Sequence, residues 1–481
     1  MSGTITINSN DLLNAVKPQL LQMPEITQQP YSYIIWTDGT NYHAKNGRTG
    51  QIDFSGADAG TVIQSAINAL RSMGGIIYIK SGTYSVTLSL YSGITLVGEG
   101  ISTTINGTIN VIGTPGSRIQ KVAIENMHIT GSNVNGILAQ YVTQLRIRNV
   151  VLDGSLTDAI SITYIDQFII DGCLIYGVKG NGIYLSGSTI SDVANGVISN
   201  TWIYNANVNG IYLQYGDGVR ITNVVANNNA KNGIYVTNSM NIFVHNSIFD
   251  GNGDRGIYFN NVYSSFISDS YAGISHGSAG ITLENCRATT VSATSVTNDR
   301  VGIYVYGGSD LVIYKSEVLN NNVINSGNAW ENSGIVIDNH AKNIVIKGCI
   351  SKNKADYPQQ YQAYGIYNFN GENIIIEDCV LDGNNVAPLG GSTSGIIIKH
   401  NIGYTTVNSG KATFSGDGTT TQFKIAHGLV STPSKILITP GSNDAKGTLY
   451  ATADATYIYV NYATAPPTGT DNVVLYWYAE V

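Results

Sequence analysis

The sequence predicts an all-β chain whose main body is a right-handed parallel β-helix, and three observations carry that prediction. The first is a recurring word, GIYV at Gly233 to Val236, with near copies along most of the 481 residues. Taking its glycine as marker, the series Gly136, Ala159, Gly182, Gly210, Gly233, Gly256, Gly280, Gly302, Gly334, Gly365 and Gly395 advances by 23, 23, 28, 23, 23, 24, 22, 32, 31 and 30 residues. That period is in the range of stacked repeat units. The second is the pattern inside a unit: Ile234 and Val236, then Ile242 and Val244, then Ile248, form short runs separated by Asn and Gly, which is strand rather than helix spacing. The third is composition, with 54 Gly, 31 Tyr and only 12% charged residues, as turn-rich β structure requires. A unit of three short strands cannot bury its own apolar face, so it must stack on its neighbours. A leucine-rich horseshoe has its own Leu and Asn spacing and a propeller blade is a longer unit, so both fit worse.

Taken in order, the chain opens with a segment, 1–30, in which Asp11 to Met23 could form a short helix interrupted by Pro18, with Pro24 and Pro30 breaking the chain after it. This reads as an attachment or oligomerisation segment. Residues 31–55 alternate apolar and polar around Asp38-Gly39 and Asn46-Gly47, two strong turn pairs, and predict a small β-hairpin leader. The parallel β-helix is placed at 56–405. From 59 to 73 the residues Val62, Ile63, Ala66, Ile67 and Leu70 share one helical face and Gly74-Gly75 stops the helix. An open solenoid end would expose its core, so this helix is assigned as the cap. Strands Ile76 to Ile79 and Ile94 to Val97 then start the coil. After about 410 the coil period ends, and 411–481 reads as a C-terminal antiparallel β-sandwich module.

The segment DFSGADAGTVIQSAINALRSMGGIIYIKSGTYSVTLSLYSGITLVGEG resembles the opening of the pectate-lyase-like β-helix superfamily, which includes viral tailspikes and tail-associated proteins. Helix, glycine pair, SGTY turn and GITLVGEG strand all match, and with the coils behind them the likeness extends over roughly 56 to 400. The stretch YIIWTDGTNYHAKNGRTGQI is similar to a leader on such β-helices in archaea and their viruses, and the C-terminal region looks like modules appended to tail fibres.

Strand alternation points the third letter of the word outward. Tyr184, Tyr212, Tyr235, Tyr258, Tyr304 and Tyr367 occupy that position, with Thr282, Val336 and Ile397 in the remaining coils. The result is a stripe of rings along one outer sheet face. Rings edged with hydroxyls suit sugars, and the resemblance implies the same, since the superfamily commonly binds polysaccharide along such a face. A stabilising cross-strand ladder is the competing account. Two residues further on, the outward position holds Glu284, Tyr306 and Asp338 in successive units. Glu284 and Asp338 are two coils apart, roughly 10 Å by strand spacing, near the separation of acid and base in an inverting glycosidase. If the chain cuts a glycan, Glu284 is the expected acid and Asp338 the expected base. Ordinary acidic residues on a solvated face are the competing account. Asp254 and Asp299 read as turn residues leading into nearby coils. No catalytic set of polygalacturonases, pectate lyases or uronan epimerases transfers by position.

Asn135, Asn181, Asn209 and Asn232 share one turn position, where amides can bond to each other and tolerate left-handed geometry. Cys173, Cys286, Cys349 and Cys379 fall at matching places and read as free buried thiols. The histidines show no ligand spacing, so neither metal nor other cofactor is expected. A net charge of −7 without a basic run argues against nucleic acid and anionic membrane, and no apolar run is long enough to span a bilayer. The first residues lack the form of a secretion signal. The resulting expectation is a virion-surface, tailspike-like protein, a homotrimer, that recognises host-surface glycan through the outer face of its β-helix and its C-terminal module. The alternative is an extracellular polysaccharide lyase or glycoside hydrolase.

Overall fold

The computed structural model describes residues 30–321, 328–354 and 362–481. The expected attachment segment, 1–30, lies outside the described residues apart from Pro30. Strands Tyr33–Thr37, Tyr42–Asn46 and Ile52–Gly56 form an antiparallel leader, and the first of them also pairs in parallel with Gly75–Ile79, which joins the leader to the coil. Helix α1 (Ala59–Ala69) follows. Asp58 caps it by accepting the Thr61 N–H at 2.8 Å, which satisfies a donor that has no partner inside the helix. The helix ends earlier than the periodicity suggests. Leu70 leaves the ladder, and Gly74, at φ +71°, closes the turn by donating to the Leu70 carbonyl at 2.8 Å. Its buried side chains, Ala59, Val62, Ile63, Ala66 and Ile67, belong to the same core cluster as the coils.

The coil then makes about 14 turns. Ile211–Gln214, Gly216–Thr222 and Val225–Asn227 are the three strands of one turn, and each pairs in parallel with its counterpart in the next. Three sheets result, here called first, second and third in that order. A column of aliphatic side chains from Ile77 through Ile221 to Ile398 follows the second sheet along the body. A fully buried Ile contributes roughly 2 kcal/mol, so the interior columns are the main stabilising term. The corners between strands are left-handed: Asn238 and Asn261 between first and second sheets, Asn223 and Asn246 between second and third. Asn accepts this conformation because its short amide bonds locally. The predicted amide stack at Asn181, Asn209 and Asn232 also forms, with Asn209 Nδ2 donating to Asn181 Oδ1 at 2.9 Å and Asn232 Nδ2 to Asn209 Oδ1 at 2.8 Å. Those three residues are not the left-handed ones, so ladder and corner are separate jobs.

One repeat of the word was misplaced. Gly395 to Ile398 copies the GIYV pattern, yet Ile397 pairs with Ile375 on the second sheet, and Gly390 occupies the outward place above Tyr367. The word is locally the same on both sheets, and only strand pairing separates them. All four cysteines are free and buried. Two three-stranded antiparallel sheets complete the chain, Val407–Gly416 with Gly469–Glu480 and Lys435–Pro440, and Gln422–Ala426 with Tyr457–Tyr462 and Leu449–Ala453. Phe423, Ile458 and Val460 of one meet Val473, Leu475 and Ala479 of the other in a core of their own, which makes this region a sandwich.

Candidate functional site

The outward face of the first sheet carries two adjacent columns. In one, strand register stacks Tyr184, Tyr212, Tyr235, Tyr258, Thr282, Tyr304, Val336 and Tyr367 in that order. The tyrosines are half-buried. Tyr184 and Tyr212 stack with centroids 5.2 Å apart and planes within 6°, Tyr235 and Tyr258 at 4.6 Å and 7°, and Tyr212 meets Tyr235 edge-on at 5.4 Å. The ring faces are therefore largely covered by one another, and edges and hydroxyls are left to the outside. Burial first, then the neighbouring phenols Tyr184 and Tyr235, push the Tyr212 hydroxyl up to about 12.

The second column runs Gln214, Thr237, Asn260, Glu284, Tyr306, Asp338. The register thus brings Glu284 and Asp338 to either side of Tyr306, which is exposed. Each carboxylate is tied to the ring column: the Tyr258 hydroxyl donates to Glu284, and the Tyr304 hydroxyl donates to Asp338 Oδ2 at 3.0 Å. Burial first and these carboxylates second hold both phenols well above the usual tyrosine range, so they remain donors. Asn260 Nδ2 donates to the Tyr258 oxygen at 3.0 Å. Arg255 lies 4.3 Å over the Tyr258 ring, donates to Thr282 Oγ1 at 3.1 Å and pairs with Asp254. Arg300 pairs with Glu331.

The lower half of the face carries an aromatic cluster that the repeat pattern missed. Trp330, in the short helix Ala329–Asn332, packs against the fully buried Val336 and stands 6.4 Å from Tyr304 and 5.4 Å from Phe369. Tyr364 and Phe369 in turn flank Tyr367 at 5.2 and 4.9 Å. The available signal was the lengthening of the repeat to 32 and 31 residues, since insertions in a solenoid tend to gather on the face that binds. Asp299 lies in the turn between strands Ser295–Thr297 and Val301–Tyr306, as its place in the sequence suggests. It is wholly buried inside the coil. A groove of about 630 Å3 lies on the second sheet, away from this face. Among the described residues no group of three or more His, Cys, Asp or Glu is placed to hold a metal ion.

Three parallel sheets wound into one coil, with an aromatic and carboxylate-bearing outer face, define a β-helix protein with a patterned wall. The chain belongs to the family described as right handed beta helix region, whose model matches 45–267, 190–321 and 263–412. Among solved structures it is similar to tailspike protein 3 of bacteriophage CBA120, at 12% identity and a TM-score of 0.58, over 83% of this chain and 70% of that one. It is also similar to the A-module of the mannuronan C-5 epimerase AlgE6 of Azotobacter vinelandii, at 15% identity and a TM-score of 0.52, over 72% of this chain and 96% of that one. No curated protein matches the sequence.

Proposed function

We propose that the chain is a tailspike-like protein of a virion surface that recognises a host-surface polysaccharide along the first-sheet face. The observation that carries this reading is the paired column, tyrosine edges and hydroxyls beside Asn260, Glu284 and Asp338, continued by Trp330 and Phe369. Hydroxyls, amides and carboxylates set at strand spacing are the groups that exchange hydrogen bonds with sugar hydroxyls, and aromatic edges supply the apolar contact. The C-terminal sandwich offers a second recognition module, and three chains side by side would make the spike. Likeness of fold to a bacteriophage tailspike supports the architecture.

Binding is tested by titrating the protein with polysaccharides extracted from microbial cell surfaces. Tyr235→Ala and Tyr258→Ala are each expected to weaken binding by about 1 kcal/mol, a roughly fivefold rise in Kd. Unchanged affinity in both variants removes the tyrosine column from the reading. A mass in solution of three times 51.3 kDa is expected, and a monomer counts against the spike.

A second reading, a polysaccharide-cleaving enzyme, is favoured by one feature only, the Glu284–Tyr306–Asp338 column. Two strand spacings put the backbones of Glu284 and Asp338 roughly 10 Å apart, with room for a water between acid and base. Against it, both carboxylates already serve as acceptors for Tyr258 and Tyr304. Incubation with the same polysaccharides is expected to release no shorter products. Release that disappears in Glu284→Gln or Asp338→Asn would replace recognition by cleavage.

A further inference from the structure

We infer that the groove on the second sheet is a separate binding site for an anionic polysaccharide bearing carboxylates. This goes beyond recognition by the tyrosine face, because no residue is shared. The groove, about 630 Å3, runs along the coil axis over successive turns. Its floor is one outward column of the second sheet, in which Ala123, Arg146, Ile169 and Val197 follow Thr95 in register. Its rim is one corner position, filled in the same turns by Lys121, Gln144, Gln167 and Asn195. Those four residues are left-handed, with φ of 56°, 64°, 58° and 52°. Further along, the same corner carries Gly218 and Asn241, so the long polar side chains are confined to the turns that form the groove. Four strand spacings give a trough of roughly 19 Å, enough for several sugar rings laid end to end.

The charge in this trough selects the ligand. The side chains of Lys121 and Arg146 are exposed, and among the described residues neither has an ion pair or hydrogen bond. The other three cations of these turns are engaged: Arg148 lies 4.0 Å from Asp171, Arg118 donates to the Tyr164 carbonyl at 3.1 Å, and Lys179 Nζ donates to Asn133 Oδ1 at 2.6 Å. Asp166, the acid beside the rim, accepts from Asn195 Nδ2 at 2.8 Å. Two unengaged cations therefore face an aliphatic floor in a chain of net charge −7. Carboxylates of a polyuronate fit Lys121 and Arg146, the C–H faces of its rings fit Ile169 and Val197, and its hydroxyls fit the amides, which already form a row through Gln144 Nε2 and Gln167 Oε1 at 3.0 Å. Single-stranded nucleic acid fits less well, since the one ring among the lining residues, Phe168, is buried under the floor and offers no face for a base to stack on.

The test is calorimetric titration of the whole chain with tetramers of galacturonate, mannuronate and guluronate, with a neutral tetrasaccharide and with tripolyphosphate. At least one uronate tetramer is expected to bind, the neutral sugar at least tenfold more weakly. Lys121→Gln with Arg146→Gln is expected to weaken uronate binding at least tenfold and leave the thermal midpoint in place, because Gln already stands at the Lys121 corner in the next two turns. Tyr235→Ala with Tyr258→Ala is expected to leave uronate affinity unchanged, which separates this site from the tyrosine face. Failure of every uronate to bind, equal binding of the neutral sugar, binding of tripolyphosphate as tight as that of the uronate, or indifference to loss of both cations overturns the proposal.

Discussion

Gly233→Val is expected to lower the unfolding free energy by about 3 kcal/mol. A Cβ at Gly233 would lie 2.7 Å from the Gly256 carbonyl oxygen, 2.8 Å from Asn252 Nδ2 and 2.9 Å from Phe249 Cδ1. Neither neighbour coil can yield, because each is packed on both sides. Gly210 and Gly256 are in the same situation, each facing the glycine carbonyl of the following turn at 2.6 and 2.8 Å. This is why the marker of the repeat is a glycine in every turn of the series except that of Ala159. Gly177 supplies the control: it has φ +68° and nothing within 4 Å of its Cβ position, so Gly177→Ala should cost only the left-handed penalty of about 1 kcal/mol. Chemical denaturation measures both. Because a solenoid is held by nearest-neighbour interfaces, the Gly233 variant is also expected to broaden or split the transition. A loss below that of Gly177→Ala would show that the coils tolerate separation.

The second large effect is a gain. Asp299→Asn is expected to stabilise the fold at neutral pH by about 1–3 kcal/mol. Inside the coil a ladder of amides runs between turns: Asn229 N–H donates to Asn252 Oδ1 at 3.1 Å, Asp299 N–H to Asn321 Oδ1 at 3.2 Å, and Asn321 N–H to Gln362 Oε1 at 3.2 Å. Asp299 Oδ1 plays its part by accepting the Ser275 N–H at 2.7 Å. Its other oxygen lies under Gly280, the place where Asn252 and Asn321 put their Nδ2 under Gly233 and Gly302. Once ionised, the carboxylate puts an acceptor where the ladder uses a donor, and Asp299 Oδ2 has no partner among the described residues. Burial pushes this carboxyl well above the usual carboxylate range.

The sign follows from linkage. The folded chain holds the Asp299 proton that the unfolded chain releases near the ordinary value of about 4, so the protonated acid's full contribution is present below that pH. As pH rises the contribution falls, until the folded carboxyl itself titrates. Asn keeps the shape, restores the donor and carries no proton to lose. The stabilisation should thus be larger at pH 8 than at pH 4 when thermal midpoints are compared. No gain, or one equal at both pH values, would mean that Asp299 has a charge partner in solution.

Much of the fold was legible because its causes are local and repeated. Alternation within Ile234 to Val236 sets which side chains enter the core, and the near-constant coil length places Tyr184 through Tyr258 in phase. The Glu284–Tyr306–Asp338 column follows from the same arithmetic. What failed to show were features made by neighbours far apart in the chain. Gly395 to Ile398 has the spelling of a first-sheet strand and the pairing of a second-sheet strand. Trp330 reaches Val336 and Phe369 from an insertion that breaks the period.

The sequence by itself determined a coil, its period, its capping helix and the outward phase of its tyrosines, since periodicity and alternation are properties of consecutive residues. Only the tertiary structure decided that the tyrosine faces cover one another, that Asp299 lies inside the wall, and that Lys121 and Arg146 stand unengaged over one trough. Each of these depends on which side chains occupy the turns directly above and below, some 20 to 30 residues away along the chain, and stacking distance alone joins them.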